Sequence, residues 1–204
     1  MGPLMRLSNR RSQRGALMIE VLVTIVILAI GLLGMMQMQG RLQKSEMESY
    51  QRTQAVMLVN DMASRIESNR ANIDSYLTGG LSPAYLGVGG NDTPCDSTLA
   101  DGLQLGDSGE WCRALEGAGE EQAGSTVGAM VGGRGCVEFD ATTNQYMVTV
   151  VWQGLTPISA PPLEVACGAN LYNLPPGSAC AEPDNADKCR RYVTTIVTEG
   201  TLPP

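Results

Sequence analysis

From Ala16 to Met36 the chain reads ALMIEVLVTIVILAIGLLGMM, 21 residues in which the only charge is Glu20. A helix needs about 20 apolar residues to cross a bilayer, so this run is long enough to span. The helical pattern then continues. Gly40 to Arg70 contains no proline and is rich in Gln, Glu, Met, Arg and Ala, which favour helix once past the opening glycine. Val59, Met62 and Ile66 recur at i, i+3 and i+7 beside Ala55 and Leu58, an apolar stripe on one helix face. The spacing predicts one helix from about residue 16 to about residue 70, apolar all round in its first half and one-sided in its second. At about 1.5 Å per residue such a helix is roughly 80 Å long, more than twice the hydrocarbon thickness, so its end must leave the membrane.

Residues 78–135 change character, with glycines that include those at 79, 80, 87, 89, 90, 117, 119, 124, 128, 132, 133 and 135. They read as a long loop region with at most a short helix, around Leu99 to Leu105 or Glu110 to Gly117. Strand signals follow. Gly135 to Phe139 leads through a turn at 140–144 into Tyr146 to Trp152, where Tyr146, Val148, Val150 and Trp152 share one face and Met147, Thr149 and Val151 the other. After a proline-rich excursion, Arg191 to Glu199 reads as another β-branched strand. The expected architecture is α+β: a long N-terminal helix packed against an antiparallel sheet of three to four strands, in a loop-rich head. The organisation is then a basic leader over 1–15, a membrane half of the helix over 16–40, its amphipathic half over 41–72, and a head over 73–204. At 204 residues a second independent core is not expected.

Charge sharpens this division. Residues 1–15 carry Arg6, Arg10, Arg11 and Arg14 and no acid. These arginines upstream of a run that contains none place the N-terminus in the cytoplasm and everything after residue 40 on the far side. Without them, ten basic residues face 21 acids, a net charge of −11. So acidic a chain is poorly suited to gripping phosphate backbones, and no nucleic acid is expected as a partner.

Six cysteines, Cys95, Cys112, Cys136, Cys167, Cys180 and Cys189, all lie beyond the apolar run, with no C-x-x-C pair and no histidine in the chain. Zinc sites need closely spaced Cys or Cys/His pairs, so an oxidised, disulfide-stapled exported head is the better reading, and no metal is expected. Six cysteines allow about 15 pairings, which the sequence leaves open. Without histidine the Ser-His and Cys-His nucleophile pairs are missing, and no G-x-x-x-x-G-K-[ST] loop is present. No catalytic residue and no cofactor is expected. Asp184 and Asp187 do not have EF-hand spacing and read as a solvated loop.

The segment with the most functional content is Arg14-Gly15-Ala16-Leu17-Met18-Ile19-Glu20-Val21, running directly into the span. It resembles the class III signal of type IV pilins and pseudopilins. That resemblance implies cleavage between Gly15 and Ala16 by prepilin peptidase, N-methylation of Ala16 by the same enzyme, and Glu20 as the fifth mature residue, where pilins carry an acid. The physics of Glu20 can be weighed separately. An ionised carboxylate inside a membrane costs about 2.5 to 3.5 kcal/mol on insertion scales, so it needs a cation. In a bundle of such helices the N-terminal amine of a neighbour would lie at similar depth.

Within that family MIEVLVTIVILAIGLLGMMQMQ is similar to the minor pilins of the PilV group over residues 14 to about 45, with weaker signs in VTVVWQG and CRRYV. Two departures from major pilins stand out. Ala16 replaces the usual first-position Phe, and the span lacks their helix-kinking proline, which argues against a bulk filament subunit. The resemblance implies a non-enzymatic inner-membrane subunit with a periplasmic head. It would join other minor pilins and the major pilin to prime pilus assembly, near the fibre tip and with a tip adhesin as a further partner, supporting fibre extension, twitching motility and attachment. Gly31 and Gly34 would let neighbouring helices approach closely. Met35, Met36 and Met38 read as flexible core filler. Two other readings stay open: a minor pseudopilin of type II secretion, which shares the E-V-L-V core, and a signal-anchored periplasmic binding or sensor domain that keeps its first 15 residues. A plain secretory signal fits less well, because no A-x-A site follows the run.

Overall fold

The computed structural model describes residues 14–80, 84–90, 95, 103–118, 121–122, 125–126, 130–173 and 175–198. The chain divides into two compact units, Met1–Ser45 and Glu46–Pro204. The described residues of the first, 14–45, belong to a single helix, α1 (Arg14–Ser68), in which every described side chain from Met18 to Ser45 is exposed.

The second unit is α+β. It contains the end of α1, a 3₁₀ segment (Arg70–Tyr76), β1 (Leu86–Gly87), α2 (Leu103–Leu115), a small ribbon of β2 (Glu121–Gln122) and β3 (Ser125–Thr126), then β4 (Arg134–Asp140), β5 (Gln145–Gln153), a 3₁₀ turn (Pro183–Asn185) and β6 (Arg190–Thr198). The main sheet is antiparallel in the order β1-β4-β5-β6, with Val137 opposite Val148 and Val150 opposite Val193.

The apolar stripe of α1 forms one wall of the core. Ala55, Val59, Met62 and Ile66 are buried against Val137, Tyr146, Val148, Val150, Trp152 and Val197 of the sheet, while Leu58 beside them is only partly buried. The expected period-two face of β5 is therefore the core face. Its opposite face is buried as well at Thr149 and Val151, because a second cluster of Cys136, Val151, Cys167 and Tyr172 covers the outside of the sheet.

The helix ends at Ser68, slightly before the expected 70 to 72, because Asn69 leaves helical geometry at φ −128°, ψ 46°. The chain then runs beside β4. Thr78 donates its N–H to the Val137 carbonyl at 3.0 Å and accepts the Val137 N–H on its hydroxyl at 3.2 Å. The glycine-rich region holds more structure than its composition announces. The helix expected at 99–105 or at 110–117 is one helix, Leu103–Leu115, overlapping both windows. It places Trp111, Cys112 and Leu115 in the core, and the Trp111 indole donates to the Leu58 carbonyl at 2.8 Å. The glycines make this approach possible. A Cβ on Gly135 would collide with the Trp111 ring, and one on Gly87, at φ +99°, with the Gly133 carbonyl.

Candidate functional site

Of the leader expected over 1–15, residues 1–13 lie outside the described residues, and Gly15 and Ala16 fall in the first turn of α1 with their side-chain surroundings also outside them. From Met18 onward the helix is long and apolar enough to cross a membrane, with a mean hydropathy of 2.6 over its most apolar stretch. Its polar groups are sparse. Thr24 returns its hydroxyl proton to the Val21 carbonyl at 2.8 Å, which hides that donor inside the helix. Glu20 is exposed and has no ion-pair partner among the described residues. Gly31 and Gly34, three residues apart and so on adjoining positions of the helix surface, have nothing within 4 Å of where a Cβ would stand.

In the second unit the six cysteines form three disulfides in sequence order, Cys95–Cys112, Cys136–Cys167 and Cys180–Cys189. The first ties position 95 to α2. The second joins β4 to the excursion between β5 and β6, and the third closes the nine-residue step into β6. The Cys95 and Cys112 sulfurs and a Glu116 carboxylate oxygen lie within 4.8 Å of one another. Sulfurs joined to each other carry no thiolate charge, so they are poor metal ligands.

Asp187 is occupied by the chain itself. It accepts the Asn170 N–H at 2.8 Å and pairs with Arg190 at 3.1 Å. Arg190 is 4 % exposed and also donates to the carbonyls of Val165 at 2.6 Å and Cys167 at 2.7 Å. This arginine pins the excursion to the start of β6, a role that the CRRYV strand pattern alone does not announce.

Two other charged centres also went unmarked in the sequence. Arg65 donates Nε to Asp61 and Nη1 to Asp107 and Glu110, each at 2.9 Å, and Asp107 accepts the Tyr76 hydroxyl at 2.7 Å. Burial opposes the charge on Arg65, but its hydrogen bonds to Glu110, Asp61 and Asp107 outweigh that and hold the proton more firmly than usual. Burial, and then the hydrogen bond to Asp107, raise the Tyr76 phenol. Arg134 lies between the rings of Tyr85 and Tyr172, 5.2 and 5.0 Å from their centroids. Burial pushes the Tyr172 phenol up to about 12, with Arg134 pulling the other way. Asp61 and Arg65 at i, i+4 could have suggested the first centre. The partners 42 and 45 residues away could not.

The arrangement offers chemistry of two kinds: an exposed apolar helix with one bare carboxylate, and a covalently tied head. No protein-family model, no curated protein and no solved structure matches this chain.

Proposed function

We propose that this chain is a non-enzymatic minor subunit of a type IV pilus, anchored by α1 in the inner membrane with its N-terminus cytoplasmic and its head periplasmic. In this reading prepilin peptidase cuts after Gly15 and methylates Ala16. The subunit then joins other minor pilins and the major pilin in the complex that primes fibre assembly, near the tip and in contact with a tip adhesin. The observation that carries the reading is a single exposed carboxylate, Glu20, the fifth residue past a Gly-Ala junction and the only charge in the apolar run.

An ionised group there is costly in lipid unless a cation meets it. The amine freed at Ala16 of an adjoining subunit would supply one and so fix helix register. Gly31 and Gly34, bare of neighbours, suit close helix approach.

Intact mass of the membrane-extracted protein tests the processing step. The expected species begins at methylated Ala16, and a chain that retains residues 1–15 overturns the reading in favour of a signal-anchored domain. Glu20→Gln should leave processing intact and reduce co-purification with partner subunits by about tenfold, the equivalent of about 1.4 kcal/mol. Wild-type levels of co-purification would remove Glu20 from assembly.

A further inference from the structure

The outer face of the sheet is only half covered. At one end the cluster around Cys136, Val151, Cys167 and Tyr172 shields it. At the other end Glu138, Met147 and Ile196 form a cross-strand row over β4, β5 and β6, with Ile196 57 % exposed. This row is the floor of an open groove of about 430 Å³, bordered by Phe139, Asp140, Thr143 and Gln145 and, from the excursion, by Glu164.

The charges around it are one-sided. Asp140 is satisfied within its own turn by the Thr142 N–H and the Thr143 hydroxyl, both at 2.8 Å. Glu138 is not: its Oε2 is buried without a hydrogen-bond partner, and burial raises its carboxyl above the usual range. Among the described residues no lysine or arginine lines the groove. Residues 46–204 hold 20 acids against eight basic residues, and of these eight Arg65, Arg190 and Arg191 are already paired with carboxylates elsewhere. The groove is matched in charge to a cation on another molecule.

We infer that this groove docks an extended segment of a partner protein in which a lysine or arginine stands among apolar side chains. The apolar neighbours would cover Met147 and Ile196 while the cation meets Glu138 and Glu164. The acidic field of the head favours the encounter. The inference goes beyond the assembly role assigned to α1 and stands or falls independently of N-terminal processing.

The test uses the full chain in detergent micelles and a fluorescent, amidated pentapeptide of valine and threonine with a central lysine, followed by anisotropy. Saturable binding is expected, weaker by about tenfold when norleucine replaces the lysine, which corresponds to the loss of one charge-assisted contact. Glu138→Gln/Glu164→Gln should weaken it at least as much. Ile196→Arg, at an exposed edge-strand position, should abolish it by placing a cation in the groove while leaving both carboxylates intact. Equal binding of the two peptides, or undiminished binding to Ile196→Arg, overturns the inference. So does a dimeric micelle-corrected mass that reverts to the monomer in Ile196→Arg, since a second copy would then occupy the face.

Discussion

Arg65 holds three carboxylates on one guanidinium, and they differ in worth. Asp61 is 43 % exposed and one helical turn away, so its pair contributes about 0.3 to 0.5 kcal/mol. Asp107 is less exposed and also anchors the Tyr76 hydroxyl, so it links α1, α2 and the 3₁₀ segment at one point. Removing the cation leaves three acids facing one another. Arg65→Met should therefore cost about 2 to 4 kcal/mol, measured as a lowered urea midpoint of the full chain in detergent. Arg65→Lys keeps the charge but cannot reproduce the fork, and should recover about half of that loss. A loss for Arg65→Met no larger than that of Asp61→Ala would show that the α2 carboxylates contribute nothing. At this scale the sequence shows helix-local pairs and little else. Asp61 and Arg65 are visible at i, i+4, whereas Asp107 and Glu110 meet Arg65, and Asp107 meets Tyr76, only because α2 docks there.

Among the elements, legibility followed the length and regularity of the pattern. The 55-residue α1 and the nine-residue β5 declare themselves by unbroken periodicity, and β6 by its β-branched run. The two-residue β1 is too short to carry a period and exists because Gly87 lets the backbone reach Gly133. α2 is blurred by the polar, glycine-containing first half of LQLGDSGEWCRAL. Cysteine pairing was illegible for a different reason: it depends on which loops meet, and no spacing rule encodes that. The observed pairs close segments of 17, 31 and 9 residues, which ranks their effect on the unfolded chain. By loop-closure entropy, replacing Cys136 and Cys167 with alanine should cost about 3.5 kcal/mol, and replacing Cys180 and Cys189 about 2.5 kcal/mol. Thermal melts of the two double variants read the order directly. A larger loss from the nine-residue loop would mean that the Cys180–Cys189 bond acts through folded-state contacts around β6 instead.

For the whole molecule, charge and cysteine are divided by the apolar run. Arg6, Arg10, Arg11 and Arg14 stand on one side of it, and all six cysteines on the other. The head needs its bonds closed, since Cys112, Cys136, Cys167, Cys180 and Cys189 are all buried and among the described cysteines none is free. A reducing cytosol would keep them as thiols, whereas an oxidising compartment lets them pair. If the helix spans the membrane with its basic end inside, thiol state becomes a reporter of orientation. Protein from membranes lysed in a thiol-blocking reagent and then denatured should take up no maleimide before reduction and six equivalents afterwards. Changing Arg6, Arg10, Arg11 and Arg14 together to alanine leaves Arg41 and Lys44, on the C-terminal side of the apolar run, as the nearest basic residues, and so reverses the bias that would orient the helix. A population with six reactive thiols should then appear. Six reactive thiols in the wild-type chain itself would place the head in the cytosol, and that single result would dismiss export and the fibre role with it.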